Sequence, residues 1–67
     1  MAQTRLTASG VSSQADVDKI VTAGEAVAGA RFVNVKLDDG TVVVTHSDDF
    51  NVEDFKTALK AAGYPAV

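Results

Sequence analysis

The sequence predicts an α+β fold with two helices packed on one face of a four-stranded antiparallel sheet. Three observations predict it: short segments with period-two alternation, two segments with helical apolar spacing, and Gly- or Asp-rich breaks between them. Together they give the order β-α-β-β-α-β. The 67 residues hold one domain, expected over 1–67, because a chain this short needs most of its length to enclose a core. Starting at Met1 and stopping just after the last strand suits a stand-alone protein of that size.

Residues Gln3 to Ala8 alternate, with Leu6 and Ala8 on one face and Arg5 and Thr7 on the other, and Gly10 ends this strand. From Ser12 or Ser13 to about Val27, apolar or small residues recur at Ala15, Val17, Ile20, Val21, Ala23, Gly24 and Val27, the spacing of a helix face. Gly29 closes that helix. Arg31 to Leu37 alternates again, placing Val33, Val35 and Leu37 together, and Thr41 to Thr45 turns Val42 and Val44 the same way. Asp38, Asp39 and Gly40 form the hairpin between them, since Asp-Gly suits a position of positive φ. The second helix carries the clearest start signal: Asn51 as cap, Asp54 able to reach back to it, and Phe50 placed to pack on Phe55. Phe55, Ala58, Leu59 and Ala62 make its buried stripe, Gly63 supplies a left-handed cap, and Tyr64 to Val67 is expected as the last strand. The order is the split βαβ pattern of ferredoxin-like open-faced sandwiches.

An apolar fraction of 46% with 22% charged residues is that of a globular chain and not a disordered one. A core this small supplies only a few kcal/mol, so modest stability is expected. The net charge of −3 and six scattered Lys and Arg residues weigh against nucleic acid, which requires clustered cations. No apolar run approaches the roughly 20 residues of a membrane span, and the N-terminus lacks a signal-peptide pattern. A cytoplasmic protein is expected. With no cysteine in the sequence, disulfide exchange, thiolate catalysis and sulfur-ligated metal are all excluded.

Gly29-Ala30, then Val33-Asn34-Val35-Lys36-Leu37, then Gly40-Thr41-Val42-Val43-Val44, and finally Ala62-Gly63-Tyr64 follow one another at a characteristic spacing. This series resembles the heavy-metal-associated domain of copper chaperones, with its G-V, V-x-V-x-L, G-T-V-x-V and A-G-Y pieces, and aligns with it without a gap over nearly the whole chain. The resemblance implies a metal loop between the first strand and first helix, G-M-[ST]-C-x-x-C, whose two thiolates bind a soft ion such as Cu(I). Here the loop reads Gly10-Val11-Ser12-Ser13-Gln14-Ala15-Asp16, so Ser13 and Asp16 stand at the two cysteine positions. The frame is kept and both ligands are replaced. As residues in their own right, Ser13 and Asp16 read as a helix N-cap and a first-turn acid that complements the helix dipole. Tyr64 matches the family residue that packs near the metal loop, so its retention implies that the loop's packing survives without an ion.

Other candidates offer less. His46, the only histidine, lies at a strand end and reads as an edge or surface residue, since one imidazole does not define a metal site. Asp48, Asp49, Glu53 and Asp54 lack calcium-loop spacing and read as a solvated turn and helix start. Gly24 lies inside the first helix, where the family usually has a larger apolar residue, and reads as close helix-to-sheet packing. No catalytic constellation or phosphate loop is present, so an enzyme is not expected. Phe32 and Val43 have the parity of the open sheet face, beside Arg5, Thr7, Asn34, Lys36 and Thr45.

The expected function is therefore that of a metal-independent interaction or accessory module with no cofactor. It would bind an unidentified protein through Val11, Ser12, Ser13, Asp16 and Tyr64, or through Phe32 and Val43, as a monomer or weak homodimer. The alternative is weak metal binding or trafficking through an oxygen-ligand loop built on Ser13 and Asp16.

Overall fold

The alternation of apolar and polar residues along Leu6 to Ala8, Val33 to Val35 and Val42 to Val44 sorts the sheet into a buried and an open face. The computed structural model describes residues 2–67; Met1, the first residue of the domain expected over 1–67, lies outside the described residues. Its elements are β1 (Ala2–Thr7), α1 (Gln14–Glu25), β2 (Ala30–Val35), β3 (Thr41–His46) and α2 (Val52–Ala61). The sheet is antiparallel with strand order β1-β3-β2. Leu6 pairs with Val42 and Val33 with Val44, so these four side chains share the face that the helices cover. The helices lay Ile20, Phe55 and Leu59 onto it, and Ala8 and Tyr64 complete the core. Phe55, Ile20, Leu59, Val42 and Val44 are fully buried, each contributing about 1.5–3 kcal/mol of transfer free energy. Among the described residues no helix is long and apolar enough to cross a membrane.

The expected fourth strand, Tyr64 to Val67, is reduced to a single bridge between Ala8 and Ala66. Thr7 and Val67 exchange both backbone hydrogen bonds, at 2.9 and 3.0 Å, and the Ser9 amide donates to the Pro65 carbonyl at 2.9 Å. Pro65 has no N–H to return that bond, so the ladder stops after one bridge. The segment still lies against the outer edge of β1. The sandwich thus keeps the ferredoxin-like arrangement with a three-stranded sheet rather than a four-stranded one.

Three apolar positions fall outside the core that periodicity gave them. Leu37 is 43% exposed because it belongs to the hairpin loop rather than to β2. That loop runs over residues 37–40, closed by Lys36 N–H to Thr41 O (2.8 Å) and Gly40 N–H to Lys36 O (3.0 Å). Ala15 and Ala62 are exposed, one on the solvent side of the first turn of α1 and the other at the C-cap of α2. α1 also stops short of Val27, which donates instead to Gly24 O at 3.1 Å, an i to i+3 bond that tightens the chain out of the helix.

Two local features set the geometry. Gly40 has φ of +75°, and a Cβ there would sit 2.5 Å from the Ala8 carbonyl oxygen, so only glycine lets the hairpin close against the end of β1. A bulge between Ala30 and Phe32 shifts the register of β2, so that Phe32 pairs with Thr45 on the open face while Val33 meets Val44 in the core. At the start of α2, Asn51 Oδ1 accepts from the amides of Glu53 (2.8 Å) and Asp54 (3.4 Å), and Phe50 packs on Phe55 with ring centroids 5.6 Å apart. The Asn51 cap and the staple expected there are both present, whereas the return bond expected from Asp54 to the Asn51 amide is not formed among the described residues.

Gly24 is buried inside α1, and a Cβ on it would lie 2.8 Å from Phe55 Cε1 and 3.1 Å from Val33 Cγ2. The missing side chain lets α1 close onto both the second helix and the sheet. Gly24→Ala gains about 1 kcal/mol of helix propensity but forces apart a fully buried ring, at a cost of about 1–3 kcal/mol. The net expected result is a lower denaturation midpoint by urea unfolding, opposite in sign to a glycine-to-alanine change on an exposed helix face.

Candidate functional site

The segment between β1 and α1 begins at Gly10, whose φ of +85° reverses the chain, and reaches α1 through Val11, Ser12 and Ser13. Ser13 is the N-cap, with extended φ of −148°, which leaves its amide and its neighbour's outside the helical bonding pattern. Asp16, three residues on, turns its carboxylate back over both. Oδ2 accepts from the Ser12 amide at 3.0 Å, the Ser12 hydroxyl at 3.0 Å, the Ser13 amide at 3.2 Å and the Ser13 hydroxyl at 3.4 Å. The other oxygen, Oδ1, accepts from the Tyr64 hydroxyl, which arrives from beyond α2. Tyr64 is 7% exposed, so its ring is core while its hydroxyl reaches the loop.

These bonds favour the ionised acid. The Tyr64 hydroxyl first, then the Ser12 amide and hydroxyl and the Ser13 amide, hold the Asp16 carboxyl down at about 2. The same hydrogen bond, aided by desolvation and the nearby negative charge, pushes the Tyr64 phenol above its ordinary range. The loop therefore contains a carboxylate whose acceptor capacity is spent inside the protein. A soft ion such as Cu(I) does not fit this donor set: the loop has no cysteine or methionine, and metal coordination by Asp16 would compete with all five of its donors.

Of the residues singled out in the sequence, Ser12, Ser13, Asp16 and Tyr64 are brought into one hydrogen-bonded cluster. Val11, partly buried, packs against the core beside it. Phe32 and Val43 lie elsewhere, on the sheet face away from the helices, so the two sets form separate surfaces. The bond between Tyr64 and Asp16 was not anticipated. Its signal is that a core tyrosine needs a partner for its hydroxyl, and Asp16 is the one acid in the loop that the ring faces.

His46 differs from the edge residue expected. It is half-buried and stacked on Phe50, with centroids 4.2 Å apart. Nδ1 lies 3.0 Å from the Ser47 carbonyl, which can only accept, and in the neutral ring this leaves Nε2 to accept from the Thr4 hydroxyl at 2.8 Å. Both ring nitrogens are in use. Asp49 is held below the usual carboxylate range, chiefly by the Ser47 hydroxyl. No group of three or more His, Asp or Glu side chains able to hold a metal ion occurs among the described residues.

Several solved structures share this fold. The CopZ metallochaperone superposes with a TM-score of 0.93 at 27% identity, over 98% of this chain and 100% of that one. Oxidised MerP from Ralstonia metallidurans CH34 gives a TM-score of 0.91 at 27% identity, over 98% and 93% of the two chains. A copper binding domain from HMA7, a P-type ATPase, gives 0.93 at 22% identity over 100% and 92%, a likeness of fold alone. No protein-family model matches the sequence, and no curated protein matches it significantly.

Tyr64→Phe removes the largest support of the Asp16 anion. Its carboxyl midpoint is expected to rise from about 2 towards the ordinary value of about 3.9, followed by carbon-13 NMR titration. The folded-state value is the depressed one, so Asp16 stabilises the protein fully above about pH 4 and progressively less as pH falls through about 2. In the variant that loss begins from a smaller contribution; an unchanged midpoint would assign the depression to the serines alone.

Proposed function

We propose that this chain, a cysteine-free member of the heavy-metal-associated fold, acts by binding another protein and not by carrying a metal ion. The observation that carries this reading is the Asp16 carboxylate, which sits at a cysteine position of the family loop and is saturated by Ser12, Ser13 and Tyr64. A loop closed in this way has a fixed shape without an ion. Its residues Val11, Ser12, Ser13, Asp16 and Tyr64 form one available contact surface, and the sheet face with Phe32 and Val43 forms the other. In this reading the protein is a cytoplasmic accessory module, monomeric or weakly dimeric.

Titration with Cu(I), Zn(II) and Mg(II), followed through backbone amide shifts, tests the metal-independent part directly. No movement from Val11 to Val17 is expected with any of the three; saturable movement there would support an oxygen-ligand site at Ser13 and Asp16 and end this proposal.

A second experiment tests whether the frame is the family's. The Ser13 hydroxyl and Asp16 carboxylate already converge to 3.4 Å. The pair Ser13→Cys and Asp16→Cys is therefore expected to gain tight Cu(I) binding in a competition assay. Failure to gain it in a folded double variant would show that the loop has departed from the metal-binding geometry.

A further inference from the structure

The open face of the sheet is organised in rows. Arg5, Val43 and Asn34 lie opposite one another across β1, β3 and β2. Thr45 and Phe32 occupy the next row and Thr41 the one before, to which Lys36 is tied by its amide. Phe32 is 60% exposed, the largest apolar side chain left to solvent. The charge on this face has one sign. The sequence has nine acids, and all of them lie in α1, the hairpin loop, the turn before α2, or α2 itself. The face instead carries Arg5 and Lys36. Lys36 is near enough to Asp39 in the hairpin to help lower that carboxyl, whereas Arg5 makes no ion pair among the described residues. A chain with net charge −3 therefore presents one flat surface that combines an exposed ring with uncompensated positive charge.

From this we infer that the open sheet face docks an acidic protein segment bearing an apolar side chain, a reading that rests on the protein-binding function proposed above. Phe32 supplies the apolar contact, Val43 the floor beside it, and Arg5 the charge that selects the partner. With strands about 4.8 Å apart and rows about 7 Å apart, these groups spread over roughly 10 by 14 Å. A patch of that size is a small part of the roughly 800 Å² per partner in a standard interface, so the contact is weak and sensitive to salt. Single-stranded nucleic acid fits less well. Stacking of successive bases needs several aromatic rings in a basic groove, and this face has one ring, on an edge strand.

The test uses the full chain and a short synthetic peptide rich in Glu and Asp with one central Trp, beside the same peptide with Lys at every acidic position. Amide shifts are expected for the acidic peptide only, centred on Arg5, Phe32 and Val43. Arg5→Ala and Phe32→Ala should each weaken binding by about tenfold, as should raising the salt to several times physiological ionic strength, which shortens the Debye length. Both side chains are exposed, so an unchanged thermal midpoint verifies that the variants fold. Absence of binding, equal binding of the basic peptide, shifts confined to Val11 to Val17, self-association in place of peptide binding, or tighter binding of an oligonucleotide would each overturn the inference. Those outcomes leave the metal-independent reading standing. Its own failure shows separately, as metal-induced movement of the loop.

Discussion

The Asp16 carboxylate joins three parts of the molecule: the loop leaving β1, the first turn of α1 and the segment that follows α2. Its bond to Tyr64 spans 48 positions of sequence. One anion thus satisfies amides that the start of α1 leaves without helical partners and also the hydroxyl of a tyrosine whose ring is core. The same tyrosine leads into Pro65 to Val67, which bond to the edge of β1. At this end of the sandwich the carboxylate and the backbone bonds of Pro65 to Val67 therefore act together.

That carboxylate also shows how a loop at this place in the fold holds its shape without an ion. In a loop that ends on two thiolates, the ion neutralises two like charges and ties the strand-to-helix turn together. Here a single negative charge faces neutral donors and the positive end of α1, so nothing needs to be neutralised. Ser13 leaves the cap position occupied by a residue suited to it, and Asp16 stands at the third helical position, where an acid accepts from the cap amide. The pair makes a loop whose bonds are complete within the chain.

Much of this was legible in the sequence, for local reasons. Helix starts at Ser13 and Asn51, the Gly40 turn and the alternating core positions each follow from rules that act over a few residues. What was not legible depended on pairing between distant segments. Tyr64 to Val67 has the composition of a strand, yet the missing N–H of Pro65 matters only because Ser9 lies opposite with a carbonyl that would have received it. Leu37 follows the period of β2 but belongs to the loop, because the hairpin closes between Lys36 and Thr41. Ser13 and Asp16 were readable as a cap and a first-turn acid; the role of Ser12 and the phenol contact required Tyr64 to be placed.

Gly24 and the open sheet face are linked through the same packing. With no side chain at Gly24, α1 settles onto Val33 and Phe55, and a single layer of helices covers the inner side of a three-stranded sheet. Among the described residues, no element covers the other side. The bulge in β2 places Phe32 on that uncovered side, where its partner across the strand is Thr45 rather than a core valine. A register without the bulge would pair position 32 with Val44 on the buried face, but it would turn Val33 and Val35 to the open one. The fold thus keeps Val33 in the core and leaves Phe32 on the open face, across the sheet from Arg5, which makes no ion pair among the described residues. An exposed ring and an unpaired positive charge on one sheet face are what the proposed contact surface rests on, as against incidental apolar exposure.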